Sequence, residues 1–314
     1  MVQGQPQFLI SFYLDSLYGS QVSTNMEANK RSIILSELSH KLLGPKMTYR
    51  LRYFHQRGHF PNLSHPNDMS EILISQMFDT HFCKCYAPYV DKVKVRDFIR
   101  EKGLEEILLD LYGVWNKPEE IPFDNLPSKF VLKSNNGCGH HVICSDKLKL
   151  NRNVAIETLN GAIDSGLNNI EPHYHFIEPK VFAEELIETP GGAWPIDYKF
   201  TCIGGEIMDV FVAVERATSA KYITLDLSWE VLPFTKKEYL PKKVPIRPRA
   251  LDRMAEVAKV LSKDFDFVRV DLYEYRDRPY FSELTFFPWG GLLYSYTDEA
   301  TMLFGKRWRE ITGM

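Results

Sequence analysis

The sequence predicts an α+β fold in which β-hairpins are covered by helices, and three observations carry that expectation. Ser32 to Leu43 sets Ile33, Ile34, Leu35, Leu38, Leu42 and Leu43 close to one side of a helix. Phe130-Val131-Leu132-Lys133 and His141-Val142-Ile143-Cys144 are two short β-like runs joined by Ser134 to His140, whose Asn-Gly and second glycine supply turn chemistry. Phe267 to Tyr273 and Tyr280 to Leu284 are two further strands around a charged turn. Helices alternating with hairpins in this order are the mark of α+β sheets.

Taken along the chain, the first eighty or so residues read as helical. A helix follows Asp68, which caps it, with Glu71 three residues on and then Ile72, Leu73, Met77 and Phe78. Another runs from Asp91 to about Lys102, with Asp91 as its cap and Lys92 in its first turn. Between Val114 and Leu126 the composition shifts, and prolines at 118, 122 and 127 forbid continuous helix, so a linker into a new domain is expected. After the first hairpin, Ala155, Ile156, Leu159, Ala162 and Ile163 mark an amphipathic helix. Strands are expected over Lys180 to Leu186, Tyr198 to Ile203 and Glu206 to Val214, the last two joined by a turn at Gly204-Gly205. A helix begins at about Arg249 with Leu251, Met254, Ala255, Ala258 and Leu261 on one face.

Composition narrows the function classes. A net charge of −3 provides no basic field to hold nucleic acid. Five cysteines, at 83, 85, 138, 144 and 202, are odd in number and lack CxxC spacing, which points to reduced thiols in a cytoplasmic protein and away from disulfides or zinc. The apolar stretch Phe8 to Leu17 is too short to span a bilayer, contains Asp15 and follows no basic residue, so neither a transmembrane segment nor a signal peptide is expected.

The chemistry-bearing residues gather near the C-terminal hairpin. Strand alternation puts Arg269, Asp271 and Tyr273 on one face, and Glu283 and Thr285 lie on the polar face of the partner strand. Pairing would bring Asp271 and Glu283 together, and two adjacent carboxylates stay charged in a pocket only with a cation between them. Magnesium suits such a pair, because it takes one or two carboxylates and completes its shell with phosphate oxygens and water. Arg269, on the same face, is placed to stabilise a transferring phosphoryl group. Upstream, the loop Ser134 to His140 follows Lys133 directly, and its glycines allow backbone N–H groups to close over phosphates. His140 and His141 have no metal-ligand partner at useful spacing.

Together these pieces resemble the ATP-grasp superfamily and, more narrowly, its TupA-like branch, over roughly residues 85 to 300. YVDKVKVRDFI (89 to 99) resembles the segment with the first nucleotide lysine, here Lys92. PSKFVLKSNNGCGHHVI (127 to 143) resembles the phosphate-covering hairpin, with Lys133 as second lysine and Asn136, Gly137, Cys138 and Gly139 over the phosphates. VFAEELIE (181 to 188) resembles the adenine hinge, Glu184, Glu185, Leu186 and Ile187, with the acidic pair near the exocyclic amine or ribose. In DYKFTCIGGEI (197 to 207) Lys199 would face phosphate. FVRVDLY and YFSELTFFP resemble the magnesium strands, with Asp271 and Glu283 as ligands, Arg269 as the phosphoryl-stabilising arginine and Thr285 standing where the wider superfamily has an amide ligand.

The resemblance implies a fold of two α+β subdomains clasping ATP, preceded by a helical N-terminal region. The expected boundaries are 1–85 for that region, 86–126 for a helical segment and linker, 127–187 for a lid subdomain and 188–314 for the magnesium subdomain. It also implies ATP and Mg2+ as cofactors and an ADP-forming carboxylate–amine ligase acting through an acyl phosphate. The expected substrates are a uronic acid of a nucleotide sugar or bacterial surface polysaccharide and an amino acid or small amine. Association with polysaccharide-synthesis enzymes would follow. Arg216 is a candidate fork for the substrate carboxylate, with Glu215 and Lys221 beside it, and Pro288-Trp289-Gly290-Gly291 a candidate acceptor loop whose tryptophan stacks on a sugar. Alternatives are a kinase on the same fold, and a glycosyltransferase, for which no compact D-x-D is present. Tyr49, Arg50, Arg52 and Tyr53 suggest either a polar-aromatic surface or packing against the core.

Overall fold

A computed structural model of the chain describes residues 43–137, 141–167, 169, 171–189, 195–214 and 220–313. The apolar stretches Phe8 to Leu17 and Ser32 to Leu42 lie outside them, as do Cys138, Gly139, His140, Glu215 and Arg216. The chain divides into two compact units, 1–62 and 63–314. In the first, residues 43–57 are helical, and Tyr49 and Tyr53 are buried, so they do not form a surface.

The second unit opens with helix α1 (Met69–Met77). Asp68 accepts the Glu71 N–H at 2.8 Å as the sequence predicts, while Glu71 reaches back to the N–H of Asn67 at 2.7 Å. Helix α2 (Thr80–Val90), which carries Pro88, was not expected. The next helix, α3, is confined to Val95–Glu101. Asp91 accepts from the amides of Val93 and Lys94 and so shapes a turn ahead of α3, and Lys92 belongs to that turn and not to a helix.

The first sheet has four antiparallel strands in the order β1 (Leu111–Trp115), β4 (Val181–Glu184), β2 (Phe130–Ser134) and β3 (His141–Cys144). The stretch expected to be a linker therefore begins inside a strand, since Val114 and Trp115 pair with Phe182 and Val181. The prolines beyond it shape two short 3-10 turns, and Ile121, Phe123 and Leu126 join the core between this sheet and helix α4 (Arg152–Leu167).

The second sheet has five antiparallel strands in the order β7 (Lys221–Leu225), β6 (Glu206–Val214), β5 (Asp197–Ile203), β8 (Phe267–Tyr275) and β9 (Arg278–Thr285). Gly204 and Gly205, both at positive φ, make the expected β5–β6 turn. Helix α5 (Leu251–Ser262) packs on this sheet through Leu251, Met254, Ala258 and Leu261. A terminal helix, α6 (Asp298–Thr312), is capped by Thr297 and closed by Gly313 in the left-handed region. It crosses α1 so closely that a Cβ on Gly305 would stand 2.7 Å from the Asn67 carbonyl.

Candidate active site

The register of the five-stranded sheet fixes the site. Directly opposed residues share a face, so one row across the sheet reads Glu283, Asp271, Lys199, Phe211 and Thr224. The row beside it reads Thr285, Arg269, Thr201 and Asp209. The expected pairing of Asp271 with Glu283 is present, with a bulge in β9 immediately after it.

Asp271 is fully buried and held from three sides. Arg269 forks onto it, with Nε 2.7 Å from Oδ1 and a terminal nitrogen 2.8 Å from Oδ2. Lys199 Nζ donates to Oδ2 at 2.5 Å and also to Asp197 Oδ2 at 2.6 Å. Burial alone would raise both carboxylates, but Arg269 and Lys199 overcome it at Asp271, which is held below the ordinary aspartate range. At Asp197, which shares the lysine and lies next to Asp271, burial wins and the pKa is raised. Burial likewise works against the charges on Lys199 and Arg269, yet the carboxylates beside them hold both cations above their usual range.

Glu283 is more open, its side chain 31% exposed. It accepts the Thr285 hydroxyl at 3.3 Å, and Thr285 in turn accepts from Arg269 at 3.3 Å. Lys92 Nζ stands 3.8 Å from Glu283 and donates to the Gly137 carbonyl at 2.5 Å, tying the turn before α3 to the hairpin of the first sheet.

On the first sheet, Lys133 Nζ donates to Glu184 Oε1 at 2.5 Å. Burial opposes its charge, but Glu184 and, farther off, Tyr273 and Glu283 raise its pKa, so the ammonium is fixed and faces the second sheet. The acidic pair of the hinge splits by strand alternation. Glu184 meets Lys133, whereas Glu185 lies within electrostatic reach of Tyr112 and spends its backbone N–H on the Asp110 carbonyl at 2.9 Å. Leu186 and Ile187 follow β4, and Ile187 is buried. Asn136 does not face the cleft: it is buried against α4, its amide donating to the Ile163 carbonyl at 3.4 Å. Lys221 donates to the Glu238 carbonyl at 2.8 Å on the surface of β7.

Three contributors escaped the sequence. Asn135 staples the hairpin, its side chain bonding Glu178 and Lys180 while its carbonyl accepts the Lys92 amide. Arg96, buried on α3, donates to the Leu109 carbonyl at 2.6 Å and stands 4.0 Å from Glu184. Asp197 lies two residues before Lys199 on β5, so strand alternation puts it on the same face.

Asp271 and Glu283 suit magnesium in a restricted way. Among the described residues no cluster of three or more His, Cys, Asp or Glu could hold a metal. An ion here would take most of its shell from phosphate and water, as magnesium does. A carboxylate offers about four lone-pair sites, and three N–H donors already engage Asp271, so Glu283 is the freer ligand.

Residues 74–308 match the family model described as TupA-like ATPgrasp. The chain belongs to the TupA-like ATP-grasp family. The match takes in all nine strands of the two sheets, and the α+β architecture is that of the ATP-grasp fold. No curated protein matches the sequence.

Among solved structures, this ATP-grasp chain is similar to the D-alanine–D-alanine ligase of Bacillus anthracis, at 15% identity and TM-score 0.42, over 72% of this chain and 66% of that one. The corresponding ligase of Helicobacter pylori gives 16% and 0.40, over 70% and 57%. The ATP-grasp ligase PsnB, complexed with precursor peptide PsnA2 and AMPPNP, gives 14% and 0.37, over 78% and 65%. The match thus spans about two thirds of those proteins or less. Among the described residues, no helix is long and apolar enough to cross a membrane.

Proposed function

We propose that the protein is an ATP-dependent, ADP-forming carboxylate–amine ligase. The observation that carries this is the convergence of Lys92 and Lys133, from the first-sheet side, on Glu283 of the second sheet, beside the Lys199–Asp271–Arg269 cluster. In this proposal the nucleotide lies between the sheets. Its adenine meets backbone groups of Glu184, Glu185, Leu186 and Ile187, and its phosphates meet Lys92, Lys133 and the hairpin around Gly137, Cys138 and Gly139. Asp271 and Glu283, with Thr285 alongside, hold magnesium, which when bound neutralises phosphate charge.

The chain's own residues then act as clamps. Lys199 and Arg269 stabilise charge on the γ-phosphoryl as a substrate carboxylate oxygen bonds to phosphorus and the bond to ADP breaks. The amine attacks the resulting acyl phosphate, phosphate leaves with its electron pair, and the amine loses a proton. Arg216 would fork onto the substrate carboxylate. The family assignment favours a uronic acid, in a nucleotide sugar or surface polysaccharide, joined to an amino acid or small amine in the cytoplasm.

A screen of uronic acids and nucleotide uronates against amines, read by ADP and phosphate release, tests this. Release that needs both substrates is expected. ADP release with stable phosphorylation of one acceptor would replace the ligase by a kinase.

A further inference from the structure

Between β7 and α5, residues 236–249 form a strap on the surface of the second unit. Apart from one 3-10 turn, Lys237–Tyr239, the strap is neither helix nor strand. It carries Lys236, Lys237, Lys242, Lys243, Arg247 and Arg249 against a single acidic residue, Glu238, in a chain whose net charge is −3. Local charge and overall charge thus have opposite signs.

The strap is held at several points. The Trp229 indole N–H donates to the Pro245 carbonyl at 2.8 Å. Farther on, Arg247 pairs with Asp252 of α5 at 2.7 Å and Arg249 with Asp277 of the β8–β9 turn at 3.0 Å, while Glu274 accepts the Ala250 amide at 2.7 Å. Prolines at 241, 245 and 248 restrict the backbone between these anchors. Docking would therefore order little that is not already fixed.

The anchored backbone turns apolar side chains outward. Val244 and Ile246 flank Pro245, and they are 49% and 89% exposed. A lone exposed aliphatic is ordinary surface. These two stand beside Lys242 and Lys243, which are exposed and, like Lys237, form no ion pair among the described residues. The two arginines are answered by carboxylates; the three lysines are left for an outside anion.

Charge selects an anionic partner, and shape selects which one. At 89% exposure Ile246 projects from the surface and lines no groove, so the complementary body has to yield to it. A folded acidic protein would need a pocket at the matching place. The interfacial layer of a bilayer accepts aliphatic side chains anywhere along it, with lysine stems lying on the apolar boundary and their ammonium groups at the lipid phosphates.

We infer that the strap docks on an anionic lipid bilayer, with Val244 and Ile246 entering the headgroup layer and Lys242 and Lys243 on the phosphates. None of these four residues belongs to the proposed nucleotide site, so binding is measured without turnover and independently of the ligase assignment. The test is density-gradient flotation of the full chain with vesicles of phosphatidylcholine, alone or mixed with phosphatidylglycerol. The chain should float with the mixed vesicles and not with the neutral ones. Its partition coefficient should fall about tenfold or more when Lys242→Glu and Lys243→Glu are combined, and about fivefold in Ile246→Ser. Melting should be unchanged in both variants, since the substituted side chains are exposed.

Failure to float with phosphatidylglycerol, equal flotation with neutral vesicles, or a partition coefficient unchanged in either variant would overturn the inference. Retention on immobilised poly-glutamate without flotation would assign the strap to an acidic protein and overturn it as well.

Discussion

Lys199 and Asp271 stand directly opposite on β5 and β8, and one ammonium bridges two buried carboxylates, Asp271 at 2.5 Å and Asp197 at 2.6 Å. Asp271 has Arg269 as a second cation. The lysine therefore holds together a charge arrangement that would otherwise repel.

Lys199→Gln removes that bridge. Breaking a buried ion pair from one side costs about 3–5 kcal/mol, and urea unfolding should show a loss of that order. Asp197→Asn combined with Lys199→Gln should recover part of it. A loss below about 1 kcal/mol would mean that the lysine is a solvated cation.

Glu283→Gln separates the proposed metal role from the fold. The amide oxygen still accepts the Thr285 hydroxyl, and the side chain is partly exposed, so melting should be nearly unchanged. Turnover should fall about 10²-fold or more, equivalent to roughly 2.7 kcal/mol of barrier, with a raised magnesium requirement. Retained activity at ordinary magnesium would remove Glu283 from the metal shell.

Asp209 gives a pH signature. It is buried behind Arg269, accepts the Tyr296 hydroxyl at 3.3 Å, and burial raises its pKa to about 7. The folded protein thus keeps a proton that the unfolded chain releases near pH 4, so stability falls as pH rises between about 4 and 7. The full effect is on the order of 4 kcal/mol. Asp209→Asn should flatten that slope in melting measurements from pH 5 to pH 8. Parallel curves for both proteins would show that Asp209 is ionised throughout.

Arg96 joins α3 to the end of β4, the proposed adenine side, through the Leu109 carbonyl and Glu184. Arg96→Met removes a charge-assisted hydrogen bond of about 1.5–3 kcal/mol and frees Glu184 to shift Lys133. Calorimetry should show ATP affinity lowered about tenfold, equivalent to 1.4 kcal/mol. Unchanged affinity would confine Arg96 to packing.

The parts of this site legible in the sequence were those governed by local rules. Period-two alternation placed Arg269, Asp271 and Glu283 on one face, and the Asn-Gly turn placed Lys133 at the mouth of a hairpin. Asp68 announced α1 through its cap. What escaped depended on distant neighbours. Strand β1 is five residues long, contains Gly113 and stands beside prolines, and its pairing with β4 bridges some seventy residues of chain. Helix α2 continues through Pro88, two residues before its end. Arg96 and Asp209 are unremarkable in sequence, and only burial beside Glu184 and Tyr296 gives them significance. Asn136 stands in the hairpin loop that the resemblance expects over phosphates, yet it is buried against α4.

In the proposed reaction a carboxylate oxygen attacks the γ-phosphoryl of ATP in this cleft. Once the screen has identified a substrate pair, the carboxylate is supplied with both oxygens as 18O, and the released phosphate is examined by mass spectrometry. Attack by the carboxylate puts one 18O in each phosphate, carried over through the acyl phosphate, and leaves one in the amide. Phosphate free of 18O, with amide still formed, would contradict it.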